Sequence, residues 1–240
     1  MYGDEPGQWG GLHFLSSSKD NILGHVRIKN AVVGVRVDSL SNNSNPKLIL
    51  NNSVIKNMQV AGLLMYNAEV SGFNNLVYNC GQFLLYAGLG GRYDLKQNTF
   101  AGMNFTLSRQ TPAVYFGDYY QADKTLQTAA LEVSLVNNII WGSNAAELLV
   151  ERKGNAAFAV SVQNNLLKTT DAALAAGNLI NQDPLFANAR KENYRLSIAS
   201  PARKKGADLA SDPYFNPYLM FDMDKKPRIF PSDLGCYEFK

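Results

Sequence analysis

The sequence predicts an all-β chain, a right-handed parallel β-helix built from three short strands per turn. Three observations carry this expectation. An apolar-Asn-apolar phrase returns along the chain with Asn at positions 30, 52, 75, 98, 138 and 165, at spacings of 22, 23, 23, 40 and 27. A period in the range of about 20–50 residues is the mark of stacked structural repeats. Asn is also abundant, with 25 in 240 residues against only 9 Pro, and Asn suits tight turns and positive φ far better than helix interiors. Finally, the residues flanking each Asn are apolar and rich in β-branched types, as in Leu48-Ile49-Leu50, Val54-Ile55 and Val133-Ser134-Leu135.

Taken in order, the phrase occurs around Ile28-Lys29-Asn30-Ala31, Leu50-Asn51-Asn52-Ser53, Phe73-Asn74-Asn75-Leu76, Lys96-Gln97-Asn98-Thr99, Val136-Asn137-Asn138-Ile139 and Gln163-Asn164-Asn165-Leu166. Each period holds a further apolar run, such as Gly34-Val35-Arg36-Val37, Gly62-Leu63-Leu64-Met65-Tyr66 and Gln82-Phe83-Leu84-Leu85-Tyr86. A leucine-rich repeat would demand an LxxLxLxxN phrase with a helical return, and neither is present. Asn30, Asn52, Asn75, Asn98, Asn138 and Asn165 are therefore expected to form one structural column. They would turn a corner and bond to one another up the stack at the sheet spacing of about 4.7–4.9 Å. Ile28, Val32, Leu50, Val54, Leu95, Leu135, Ile139, Val162 and Leu166 are the expected inward residues.

The repeating part is expected over residues 1–181, with a loop insertion near 104–128 accounting for the 40-residue spacing. Smaller excursions are expected at 42–46 and 151–154. Residues 182–240 lose the repeat and gain Pro213, Pro217, Pro227 and Pro231 with interleaved aromatics. They read as a capping or wrapping segment of the same domain that covers the last turn. The first repeat signal, Trp9-Gly10-Gly11-Leu12, begins almost at once, which predicts an uncapped apolar N-terminal end open to missing upstream repeats or to a contact partner.

Charge is sparse. Lys and Arg number 23 against 20 Asp and Glu, for a net charge of +3, which makes no case for a nucleic-acid partner. No apolar run reaches the length of a membrane span, and residues 1–9 lack the pattern of a signal sequence. Cys80 and Cys236 lie far apart and read as two free thiols, Cys80 as a small core residue. His13 and His25 stand alone, so neither a metal nor a cofactor is expected.

With these residues in view, the chain resembles the secreted right-handed β-helix proteins of the Bacteroidetes type. The opening Gly7-Gln8-Trp9-Gly10-Gly11-Leu12, the turn Ser18-Lys19-Asp20-Asn21 and the phrase Ile28-Lys29-Asn30-Ala31 are similar to theirs. So is the tail: Asp183-Pro184-Leu185-Phe186, Tyr194-Arg195-Leu196-Ser197, Ser200-Pro201-Ala202, Gly206-Ala207-Asp208 and Asp233-Leu234-Gly235-Cys236-Tyr237-Glu238. The resemblance covers nearly the whole chain. It implies an architecture like that of pectate lyases, export to the cell exterior and often an outer-membrane lipoprotein anchor. It does not imply an activity, because the motifs are specific for fold alone.

No catalytic constellation is visible. There is no Asp-Asp pair in the repeats, no calcium-type carboxylate cluster, and no G-x-G-x-x-G, P-loop, G-x-S-x-G or H-E-x-x-H motif. The candidate binding residues fall in two places. Tyr86, Arg92 and Asp94 lie close in sequence and would border one surface. Arg109, Tyr115, Phe116, Asp118, Tyr119 and Tyr120 crowd into the expected insertion, where exposed rings could stack on sugars. A non-catalytic, secreted or cell-surface protein with a carbohydrate-binding or structural role is the leading functional expectation, with polysaccharide as candidate partner. The alternatives are a polysaccharide-active enzyme, foremost a uronate lyase using Arg92 with Lys96 or Arg152 with Lys153, and a protein-binding adhesion scaffold. Charged residues gathered on neighbouring repeats would favour the enzyme, and a shallow aromatic face would favour glycan binding.

Overall fold

A computed structural model of the chain describes residues 3–239. Strands dominate it and helix is almost absent. Two large sheets, one of ten strands and one of seven, are parallel throughout, and two small antiparallel pairs lie outside them. The ten-stranded sheet is held together by two long strands, Ala61–Phe73 and Phe83–Lys96. Each bends midway, at Asn67 (φ 45°) and at Leu89, Gly90 and Gly91 (φ 60°, 70° and 119°). The bend needs glycine at position 91. There φ is positive and a Cβ would lie 2.4 Å from the Ala68 carbonyl oxygen of the neighbouring strand.

The parallel register stacks like residues on like. Val35, Leu63, Leu85, Val114 and Leu148 form one buried row, and Ile28, Ile55, Val77, Phe100, Ile140 and Leu167 form another. Rows from both large sheets meet in a single core that also takes in Leu50, Leu95, Leu135 and Cys80. Both thiols are buried and free, and burial pushes each up to about 12.

The seven-stranded sheet is buried on its second face too. Leu76, Ile139 and Leu166 pack there under the tail residues Tyr194, Leu196, Ala202, Leu234 and Tyr237, with Val54 against the same layer. Burial on both sides explains the unbroken apolar pairs of that sheet, Val54-Ile55, Leu76-Val77, Ile139-Ile140 and Leu166-Leu167. It also corrects the expected inward set: Val54, Ile139 and Leu166 face the tail rather than the main core. The tail lies lengthwise along the sheet, from Leu179 and Leu166 back to Val54.

The Asn column is present but shifted from the expected alignment. Asn75, Asn98, Asn138 and Asn165 do form a ladder, and Asn178 adds a fifth rung that the repeat spacing missed. The backbone N–H groups of Ser53, Asn75, Asn98, Asn138 and Asn165 each donate to the Oδ1 of the next Asn, at 2.8–3.1 Å. Each Asn amide also reaches back to a carbonyl of the preceding segment: Leu50, Gly72, Leu95, Leu135 and Val162 in turn. Asn52 is not a rung. It precedes Ser53, which occupies the rung position, and belongs to an adjacent column of left-handed residues: His25, Asn52, Asn74, Gln97, Asn137 and Asn164, with φ between 47° and 60°. The strand Leu48–Asn51 ends on an Asn of its own, so aligning the doublets displaced that segment by one residue. Asn30 belongs to a third column, with Asn57 and Asn79 at another corner (φ 64°, 57° and 53°). There the Asn79 amide donates to Asn57 Oδ1.

The expected loop over 104–128 is in fact two excursions separated by a strand. Val114–Gly117 is part of the ten-stranded sheet, between Leu85–Ala87 and Leu148–Val150. Residues 103–113 precede it, and an antiparallel hairpin, Tyr119–Ala122 with Thr125–Thr128, follows. The run Val114-Tyr115-Phe116 is apolar because it is buried, not because it forms an exposed binding loop.

Replacing Asn98 by Leu strips the Asn75 N–H of its acceptor and the Gly72 carbonyl of its donor inside the protein. We expect a loss of about 3 kcal/mol in urea unfolding. Asn30→Gly, outside the ladder and free to keep its positive φ, should cost about 1 kcal/mol or less. Equal losses for the two variants would contradict the assignment of the rungs.

Candidate functional site

Beyond the bend, the outward positions of three neighbouring strands carry nearly all the charge on that face. The register places Glu69 beside Arg92 and Arg92 beside Glu132, then Ser71 beside Asp94 and Asp94 beside Ser134, then Phe73 beside Lys96. The inward positions between them, Val70, Tyr93, Leu95, Val133 and Leu135, are core residues, so the two-residue period of the strands aims the polar set at solvent. These side chains wall a cleft of about 360 Å³, rimmed by Ser44 and Pro46 on one side and Tyr214 of the tail on another.

Both cations are already paired. Arg92 Nη2 lies 2.6 Å from Glu69 Oε2. Lys96 Nζ sits between Asp94 Oδ2 at 2.7 Å and Asp212 Oδ2 at 2.6 Å, near the rings of Phe73 and Tyr214. Burial raises the Asp94 carboxyl above the ordinary aspartate range, against the pull of Lys96. Burial works to lower the Lys96 ammonium, but its bonds to Asp212 and Asp94 outweigh it and leave its pKa raised. Asp94 is largely buried beside the Ser134 hydroxyl, while Glu132 is exposed. Four carboxylates, those of Glu69, Asp94, Glu132 and Asp212, thus face two cations, and the cleft is acidic.

The candidate residues of the sequence divide among three environments. Arg92 and Asp94 are in the cleft. Tyr86, Tyr115 and Tyr120 gather on the other stretch of the same sheet, across the bend, together with Tyr66. Tyr86 and Tyr115 stack at 5.0 Å and 11°, Tyr66 leans on Tyr86, and Tyr120 meets Tyr66 edge-on. Tyr115 folds over Gly117, where a Cβ would lie 2.4 Å from its hydroxyl oxygen. These rings spend their faces on one another and on Arg36, 5.6 Å from the Tyr66 centroid, and burial pushes Tyr86 up to about 12.

The remaining candidates are structural. Phe116 is fully buried. Arg109 is 1% exposed and paired with Glu147 at 2.7 Å. Asp118 is also buried and accepts from the backbone N–H groups of Lys153 and Gly154. The Tyr119 hydroxyl donates to Glu151 at 2.6 Å, with Lys153 3.9 Å above its ring. The expectation of exposed rings in the insertion that could stack on sugars therefore fails. Only Tyr120 among them is exposed, and it lies beyond the bend.

Glu69 and Glu132 escaped the sequence reading although their signal was there. Glu69, Arg92 and Glu132 each stand six residues before a ladder Asn, so the repeat that aligns the Asn also aligns the charges. Among the described residues, no group of three or more His, Cys, Asp or Glu could hold a metal ion, and no helix is long and apolar enough to cross a membrane.

A raised lysine pKa stabilises the fold below the ordinary lysine range and ceases to do so as pH rises through the folded-state value. Urea melts from about pH 9 to 12 should therefore show the wild-type protein losing more stability than Lys96→Met. Near neutrality the variant should be the weaker of the two, because Asp94 and Asp212 are left without their shared cation. Parallel pH profiles for the two proteins would contradict the pairing.

Set against models of known protein families, curated proteins and solved structures, the chain finds no match in any of the three.

Proposed function

We propose that the parallel segments wind as a right-handed β-helix and that the protein acts at the cell exterior, where its acidic cleft holds a neutral glycan without cleaving it. The β-helix reading is supported by the parallel register between segments 22, 23, 40, 27 and 13 residues apart, with a corner at the same place in each. The exterior location rests on the resemblance of the tail motifs. Charges gathered on adjacent strands, as Glu69, Arg92, Asp94 and Glu132 are around this cleft, would by themselves favour an enzyme; the observation that carries the binding reading is that both cations of the cleft are held in ion pairs, Arg92 by Glu69 and Lys96 by Asp94 and Asp212. Rows of donors and acceptors repeated at about 4.8 Å suit the hydroxyls of an extended saccharide laid across the strands.

The charge balance decides between polymers. A uronate would bring its carboxylate to a cleft whose cations are already neutralised by Glu69, Asp94 and Asp212. The same pairing removes Arg92 and Lys96 as the free base a uronate lyase needs. A protein-binding scaffold would favour a flat apolar wall, and this wall is recessed and charged.

A second reading, glycoside hydrolysis, is favoured by one observation. Asp94 has the raised pKa of a general acid, and Glu132 stands one strand over and two residues along. Two carboxyl groups on one face of a cleft are what glycoside hydrolysis uses.

Affinity electrophoresis in gels of xyloglucan, glucomannan or polygalacturonate tests both readings. The wild-type protein should be retarded by a neutral polymer and not by polygalacturonate. Asp94→Asn and Glu132→Gln should weaken retention roughly tenfold, the worth of one charge-assisted hydrogen bond. Release of reducing ends, abolished by either variant, would select hydrolysis. Retention by polygalacturonate alone, or retention indifferent to both variants, would overturn the cleft assignment.

A further inference from the structure

The left-handed column beside the ladder has a second use. Its side chains face outward, and four of them grip the tail. The Asn74 amide donates to the carbonyls of Tyr218 and Phe221, both at 2.8 Å. The Asn137 amide donates to the Ala207 carbonyl at 3.0 Å and accepts from the Ala207 N–H at 2.8 Å. Gln97 donates to the Ser232 hydroxyl at 2.9 Å, and Asn164 reaches the Lys205 carbonyl at 3.5 Å. The column therefore reads polypeptide, chiefly through backbone carbonyls, one position after another.

The tail leaves that path early. After Phe221 it reverses through a turn closed by the Asp222 N–H to Lys226 carbonyl bond, and Phe221 bridges to Pro227 on the way back. Two positions of the column, Asn52 and His25, are left uncovered. They do not face open solvent alone: with Pro217, Tyr218, Met220 and Phe221 they line a cavity of about 430 Å³, continuous with the seam where Asn74 holds the tail. The His25 side chain makes no hydrogen bond to any described residue; its backbone N–H donates to the Asn51 carbonyl. The Asn52 side-chain amide donates to its neighbour Asn51, while its backbone N–H donates to the Phe73 carbonyl. Phe221 presents an exposed ring to the cavity, 49% accessible.

We infer that this cavity binds an extended peptide segment bearing an apolar side chain, which continues along the column where the protein's own tail turns away. Asn52 and His25 would take its backbone groups, as Asn74 and Asn137 take those of the tail. The apolar wall of Pro217, Met220 and Phe221 would take its side chain. A peptide fits this site better than a sugar because the rest of the column bonds chiefly to backbone groups, and because Pro217, Met220 and Phe221 offer apolar surface for a side chain, with Asp222 and Lys225 also lining the cavity. The site is separate from the cleft of Arg92 and Asp94, and the inference stands or falls independently of glycan binding.

The test is to pan a phage-displayed random heptapeptide library on the whole protein, then to measure the enriched peptides, made synthetically, by fluorescence anisotropy. The variants are Asn52→Gly, which keeps the left-handed backbone, and Phe221→Ala at an exposed position, with thermal melts confirming that both remain folded. The expected result is enrichment of peptides with a shared apolar residue, whose affinity falls about tenfold in each variant while the melts are unchanged. Failure to enrich any peptide, equal binding to wild type and variants, or displacement of the peptides by the glycan that binds the cleft would overturn the inference.

Discussion

The hydrogen bond from the backbone N–H of one corner to the Asn side chain of the next is the interaction on which the rest of the structure depends. Wherever the chain leaves one strand and enters the next at a sharp angle, backbone groups lose their sheet partners, and burying them unpaired is costly. Here each rung meets the cost in both directions. Asn98, for example, donates its amide to the Gly72 carbonyl of the preceding segment, while its own N–H donates to Asn138 of the following one. A corner is thus tied to the corner before it and the corner after it. The aliphatic rows can stack in register because the corners do.

A second consequence follows from the residue just before each rung. To turn there the chain adopts positive φ, and Asn, Gln or His occupies the position. Their side chains cannot join the ladder and point away from it, so the corner presents a line of polar groups on the outside. The tail exploits that line. It covers the outer face of the seven-stranded sheet, whose apolar residues Leu76, Ile139 and Leu166 would otherwise be exposed. At its far reach it is anchored by Asn74, which bonds Tyr218, Phe221 and the buried Arg228 at once. Burial pulls the Arg228 guanidinium below its ordinary pKa, and Glu238, paired with it, offsets part of that cost. The cleft depends on the tail as well, since Tyr214 supplies one rim and Asp212 one of the carboxylates around Lys96.

Much of this was legible in the sequence, and the parts that were not failed for physical reasons. The spacing of Asn75, Asn98, Asn138 and Asn165 identified the ladder because a repeat imposes the same corner each time. Asn52 and Asn30 were misplaced because Asn serves three columns with different tasks, and composition does not distinguish a rung from a left-handed turn. Tyr115 and Phe116 read as a binding loop by sequence but belong to the strand Val114–Gly117 inside the sheet; an apolar run within an insertion carries no sign of whether it returns to the core. Arg109 and Asp118 are candidate binding residues by sequence, yet each satisfies buried or turning backbone. The charged cleft was in reach, because Glu69, Arg92 and Glu132 share the Asn spacing, but only when the period is applied to residues other than Asn. The course of the tail was not in reach, since its contacts with Asn74, Gln97 and Asn137 join distant segments and leave no periodic trace.

Native-state hydrogen exchange of the backbone N–H groups of Asn75, Asn98 and Asn138 tests the central claim most directly, because each of them donates to a side chain rather than to the backbone of a sheet. If the ladder holds the corners, these protons exchange only through global unfolding, with opening free energies equal to the stability measured in urea. If they exchange as freely as the N–H groups of the exposed hairpin at 119–128, the corners open locally and the ladder is not what holds the segments together.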